Sequence, residues 1–243
     1  MKLLIVLLLS LLAQACTTVG SLDRPEDYYQ DSYYANRSSS SAEPILTDTT
    51  SLEDEKINSL LYERIRLPKQ VRIAILKLSN DDYWRFYSDE FTQLNDSISN
   101  NLIDRLRASP RVYDASYLPS MLIPEKRTFP VLREAAARFQ ADILLSYRSS
   151  CDSFQKYRFI SPDETKAYCT VEAMLLDTRK GIISKSVVST QSFSAKKEVN
   201  DTDFSETIKK AELQALSTAL GEVAAETVSY LKTAPLLDKK NNP

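Results

Sequence analysis

Three Ser-x-x-Lys tetrads are the residues whose types and spacing come nearest to chemistry in this 243-residue chain: Ser153 to Lys156, Ser194 to Lys197 and Ser229 to Lys232. In serine enzymes that act on peptidoglycan, such a serine opens a helix and the lysine returns one turn later, with S-D-N and K-T-G companions. Here the first two tetrads fall in strand-like runs, the third lies at a helix end, and neither companion motif occurs. In a chain rich in Ser and Lys, such matches arise by chance. Asp81-Asp82 and the Asp201/Asp203 pair offer two carboxylates each, but both lie in polar loops, where a solvated surface is the default. With no histidine there is no Ser-His-Asp triad, no Cys-His dyad and no His-ligated metal. With only Gly20, Gly181 and Gly221 there is no glycine-rich phosphate loop. No catalytic residue, metal ligand or cofactor is therefore assigned, and a non-enzyme is expected. A net charge of −2 also argues against a nucleic-acid partner.

The three cysteines carry more. Lys2, the apolar run Leu3 to Leu12 and the small-residue stretch Ala13-Gln14-Ala15 before Cys16 read as a secretory signal peptide over residues 1–15. The run is too short to span a bilayer, which takes about 20 residues. Two readings meet at the same bond. Ala13-Gln14-Ala15 is an A-x-A cleavage site that would leave Cys16 a free thiol. The segment also resembles a bacterial lipobox, with Ala13 where leucine is usual, and this implies that Cys16 is lipidated and becomes the mature N-terminus. Parity favours lipidation, because it leaves an even pair, Cys151 and Cys169, in an oxidising compartment. Thr17 and Thr18 after the cysteine, in place of aspartate, imply sorting to the outer membrane, with the body of the protein facing the periplasm.

Residues 16–50 show no apolar periodicity and hold Pro25, Pro44 and the run Ser38 to Ser41, the composition of a disordered tether. Within it, the pairs Tyr28-Tyr29 and Tyr33-Tyr34 are either a docking patch or merely a sticky linker. A helix is expected over 51–66, capped by Ser51 and striped by Ile57, Leu60, Leu61 and Ile65, either docked on the domain or offered to a partner.

A folded domain is expected over 67–232, followed by a flexible tail over 233–243. Val71 to Leu78 is β-branched and apolar, a buried strand. A helix opens at Ser88-Asp89-Glu90 and presents Phe91, Leu94, Ile98, Leu102 and Leu106 on one face until Pro110. Arg111 to Ala115 reads as a second strand and Val131 to Gln140 as a second helix. Three strand-like runs follow: Asp142 to Phe159, Lys166 to Leu176 and Ile182 to Ser194. The turn Asp177-Thr178-Arg179-Lys180-Gly181 gives Gly181 a left-handed position. A long helix over Asp203 to Lys232 closes the chain, with Ile208, Ala211, Ala215, Ala219 and Val223 as its main face. The order β-α-β-α-β-β-β-α is that of an α/β domain with a layered mixed sheet. Cys151 and Cys169 fall on consecutive strands, where facing positions would allow a disulfide. A spacing of 18 without histidine gives zinc little to hold. Closing that loop would stabilise by about 3 kcal/mol.

This pattern resembles the CsgG-like domain of bacterial outer-membrane lipoproteins over roughly 71–231. Val71 to Leu76 is similar to the family's opening strand, Phe139 to Leu145 to its Gly-Ala-Asp-type third strand, and Asp177 to Gly181 to its Asp-x-x-Thr-Gly-type turn. Gln140 and Ser146 stand where glycine is usual, and the turn has its threonine and glycine in the order Thr-x-x-Gly. The resemblance implies an accessory factor of envelope assembly or polymer export, or a lipoprotein activator of a peptidoglycan synthase, that binds a protein partner in the periplasm and is compatible with a homo-oligomer. A cell-wall hydrolase with an unrecognised Ser–Lys or carboxylate site is the alternative. The charged residues between Cys151 and Cys169, and Lys196-Lys197-Glu198 beyond Val188, argue against the membrane-inserting hairpins of the family's secretion channel.

Overall fold

The computed structural model describes residues 52–78, 89–124, 127–159 and 161–237, with backbone alone for 89–92. The signal peptide, Cys16, the tether with its tyrosine pairs, and Asp81-Asp82 lie outside these residues.

The first element is helix α1, Asp54–Tyr62. It is shorter than the expected 51–66 at both ends. Glu53 is the N-cap and makes no side-chain cap bond, and the chain turns extended at Glu63. No α1 residue is buried, and Ile57 and Leu61 face outward, so the stripe is presented rather than docked. Ile65, beyond the helix, does pack against the core.

Strand β1, Val71–Lys77, leads through α2, Asp89–Arg107, to β2, Val112–Tyr117. A single 3-10 turn at Ser120–Leu122 precedes α3, Phe129–Arg138. The strands β3, Ile143–Lys156, β4, Glu164–Asp177, and β5, Ile182–Lys196, follow, and α4, Phe204–Thr233, closes the domain. The sheet order is β2-β1-β3-β4-β5. β1 pairs in parallel with β2 and β3, while β4 is antiparallel to both β3 and β5. The α/β class and the layered mixed sheet are as the sequence indicates.

Each face has its own core. Ile73, Ile75, Ile143 and Leu145 point to one side, where Leu102 and Leu106 of α2 and Ala219, Leu220 and Val223 of α4 cover them. Ala74, Leu76 and Leu144 point to the other, against Leu132 and Ala136 of α3. This two-sided burial is why β1 carries a continuous apolar run instead of an alternating one. The small residues Ala211 and Ala215 seat α4 close to the sheet. Thr207 and Glu212 are buried on the same helix while Ile208 is only half-buried, so the buried stripe is wider and more polar than the apolar pattern alone indicates.

Two helix ends show the local logic. Asp203 caps α4 by accepting the Glu206 N–H at 3.0 Å, and Glu206 reaches back to the Thr202 N–H at 2.7 Å, much as in a capping box. α3 ends in a Schellman motif: the Ala141 N–H donates to Ala136 O and the Gln140 N–H to Ala137 O, each at 2.9 Å. This places Gln140 at φ 57°, in the left-handed region where glycine costs least. Gly181, at φ 72°, supplies the same conformation in the β4–β5 turn.

Beyond α4 the chain stays engaged. Leu67 N–H donates to Pro235 O at 2.8 Å and Leu237 N–H to Leu67 O at 2.9 Å, so the tail expected from residue 233 is held as far as Leu237. Arg111 secures the same corner, its Nε donating to the Leu231 carbonyl at the C-terminal end of α4.

Candidate functional site

The long strands β3, β4 and β5 outrun the layered core. α3 covers one face of the sheet only as far as Leu144 and Leu176, with Met174 half-buried at its margin. Past that row the same face is open on all three strands, while α4 continues to cover the other. The burial of β4 records this, alternating strictly from Thr165 to Ala173 and turning continuous only from Leu175 to Asp177.

On the covered face, Cys151 and Cys169 are directly opposite one another and joined by a disulfide, with Cα atoms 4.1 Å apart. Cys169 is fully buried, its Sγ 3.1 Å from the Glu212 carbonyl of α4, among Ala167, Ala211 and Ala215. The bridge therefore joins the two strands at the place where α4 rests on them.

On the open face, the rows across the strands are polar with aromatic insertions. Arg148 and Glu172 form an ion pair at 2.6 Å, Thr170 and Thr190 share a hydrogen bond at 2.9 Å, and Phe154 packs edge-on against Tyr168 at 5.9 Å. Val188 stands exposed beside Glu172. β5 is one of the two outer strands of the sheet, and its ten residues from Ser186 to Ala195 contain no charge, proline or glycine. An outer strand of that kind offers unpaired backbone donors and acceptors to an added strand, and it lacks the charges that usually discourage such pairing.

A groove of about 570 Å³ lies between the start of α2, the end of β5 and the start of α4, with Leu94, Phe193 and Ala195 as apolar lining and Gln93 and Gln214 among its polar groups. Asp201 lies at its edge. Burial pushes the Asp201 carboxyl up, but the Glu198 N–H, the Thr207 hydroxyl and the Lys210 ammonium outweigh it and hold the carboxyl below the ordinary aspartate range. Asp203 is occupied as the cap of α4. Both carboxylates of this pair thus have structural partners.

The Ser-x-x-Lys tetrads take positions unlike the catalytic arrangement. Ser153 and Lys156 lie along β3, Ser194 is in β5 with Lys197 just beyond its end, and Ser229 and Lys232 sit near the C-terminal end of α4. None has its serine opening a helix. Among the described residues no group of three or more His, Cys, Asp or Glu is placed to hold a metal, and no helix is long and apolar enough to cross a membrane.

No protein-family model matches the chain, and no curated protein matches it. Among solved structures it is similar to a hypothetical protein from Chlamydia trachomatis, at 12% identity over 67% of this chain and 98% of that one, with a TM-score of 0.41. It is also similar to the PelC dodecamer from Paraburkholderia phytofirmans, at 16% identity over 70% and 94% of the two chains, with a TM-score of 0.32. A minor lipoprotein from Acinetobacter baumannii matches at 11% identity over 71% and 98%, with a TM-score of 0.30. The neighbours are bacterial proteins, several of them lipoproteins by name, and none singles out the CsgG-like group. Likeness at this level says nothing of activity or partner.

Proposed function

We propose that this chain is a non-enzymatic outer-membrane lipoprotein, anchored through Cys16, whose periplasm-facing α/β domain binds protein partners as an accessory factor of envelope assembly or polymer export. The observation that carries the reading is the open three-stranded extension with the uncharged run Ser186 to Ala195 on its outer strand β5, backed by α4 and with β3 and β4 joined by a disulfide. Such a platform suits strand addition by a partner, in which backbone pairing supplies affinity and alternate side chains supply selectivity. A lipid anchor adds effective concentration: a partner in the same envelope layer meets the platform within the reach of the tether. Activation of a peptidoglycan synthase is the narrower form of the same proposal.

In-cell photocrosslinking from Ser192 is expected to give discrete adducts that Val188→Lys abolishes, because a lysine on the outer strand opposes pairing. Adducts unaffected by Val188→Lys, or none at all, would overturn strand addition on β5. Cys16→Ser is expected to abolish incorporation of labelled palmitate in cells, and incorporation that persists, or a wild-type chain that takes up none, would overturn the anchor. Clearing in a zymogram on purified peptidoglycan, lost on Ser→Ala at Ser153, Ser194 or Ser229, would overturn the non-enzymatic reading.

A further inference from the structure

The end of the sheet farthest from the β4–β5 turn collects apolar side chains that no other part of the domain covers. Among the described residues, two large hydrophobic side chains are fully exposed, Phe159 and Val199, and both are at this end. They come from separate loops, one joining β3 to β4 and the other β5 to α4. The loops are tied together: Lys197 N–H donates to Asp163 O at 2.9 Å, and the Tyr157 ring meets the Phe204 ring at 5.5 Å. Tyr157 itself is 71% exposed.

Cations surround these apolar tips. The segments 154–168 and 194–200 hold five basic and three acidic residues, a net of +2 on a chain whose total is −2. Glu164 is occupied by Arg158 at 2.7 Å and Lys196 at 3.3 Å, whereas Lys156 and Lys197 enter no ion pair among the described residues. Of the neighbouring acids, Asp201 is buried against Lys210, Asp203 is exposed but engaged as the cap of α4, and Glu198 is exposed between Lys197 and Val199. Exposed aromatic and aliphatic tips with lysines set around them match the two layers of a bilayer surface, the acyl boundary and the anionic headgroups. A fluid surface needs no pocket to receive side chains that project from two loops.

We infer that this end of the domain seats on the surface of a bilayer containing anionic phospholipid, with Tyr157, Phe159 and Val199 entering the headgroup boundary and Lys156 and Lys197 meeting phosphates. The reach of the chain allows it. The 14-residue strand β4 puts this end roughly 45 Å from the β4–β5 turn. The chain enters the described fold near that turn, where Lys180 Nζ donates to Arg64 O at 2.8 Å. The stretch between Cys16 and Leu52 has a contour on the order of 120 Å, ample for the tip to turn back to the membrane that would hold the anchor. The contact itself does not depend on lipidation of Cys16.

The test uses the chain from residue 16 onward carrying Cys16→Ser, so that neither an acyl chain nor the apolar leader contributes. Cosedimentation with vesicles of phosphatidylethanolamine and phosphatidylglycerol at roughly 7:3 is expected to retain it, and vesicles of phosphatidylcholine alone to retain less. Combining Tyr157→Ser, Phe159→Ser and Val199→Ser should lower the partition coefficient at least about fivefold, with an unchanged thermal melt showing that the fold is intact. In a Phe159→Trp variant, brominated lipid should quench emission beyond the level seen for the unsubstituted chain, which holds only Trp84. Failure to sediment, equal sedimentation of the triple variant, or an unquenched tryptophan at 159 would overturn the proposal. So would binding to purified sacculi without binding to vesicles, which would assign the tip to a glycan. Palmitate labelling at Cys16 reports the anchor alone and vesicle binding of the Cys16→Ser chain reports the tip alone, so the two proposals fail separately.

Discussion

Gln140 shows how far one residue is governed by the motif it terminates. The Schellman end of α3 demands a left-handed residue there, and glutamine accepts φ 57° because Ala136 and Ala137 then receive the hydrogen bonds they need. Gln140→Gly should raise stability by roughly 0.5–1 kcal/mol, read as a shifted urea midpoint at unchanged slope. Ser146 is a second local mismatch: its hydroxyl is buried on the α3 face without a hydrogen-bond partner. Ser146→Ala should stabilise by about 1 kcal/mol in the same assay, since it removes an unsatisfied buried oxygen. Asp201 is the opposite case, a buried carboxylate met by an N–H, a hydroxyl and an ammonium. Its carboxyl is held below the ordinary value of 3.8, so its contribution is complete above that pH and is lost as pH falls through the lower folded value. Asp201→Asn should therefore flatten the fall in stability on acidification below about pH 4, measured by urea melts at stepped pH.

At the scale of elements, the strand extension depends on α4 and the disulfide together. α3 stops supporting the sheet near Met174, and beyond that row α4 alone backs the three paired strands while the disulfide ties β3 to β4. Replacing both Cys151 and Cys169 by alanine should lower stability by about 3 kcal/mol. Hydrogen exchange should rise first at the distal ends of β3, β4 and β5, while β1 stays protected. Uniform exchange across the sheet would mean that the extension and the core unfold as one unit. The alternation of Thr165 to Ala173 is legible in the sequence as a half-buried strand. Which face would lie open is not, because that depends on α3 being only ten residues long and packed far to one side.

For the molecule as a whole, the two ends of the described chain differ in what they support. α1 buries no residue, whereas the segment after α4 makes a backbone bridge to Leu67. Removing residues 1–62 should shift stability by less than about 1 kcal/mol, while removing 235–243 should cost more, roughly 1–2 kcal/mol, both read from thermal melts. The order of elements, the buried strand β1, the long helix α4 and the glycine turn could all be read from the chain, because local periodicity and turn chemistry specify them. Exclusion of histidine-dependent chemistry needed only composition. The pairing of Cys151 with Cys169 was legible as well, but the tertiary structure alone decided that the bridge lies beneath α4, that Asp201 and Asp203 are structural, that β5 is an open outer strand, and that Phe159 and Val199 share one end of the sheet. These are relations between residues distant in the chain. Sequence records which residues can be buried or turned, but adjacency across a sheet follows from pairing order and from how far each helix reaches over it.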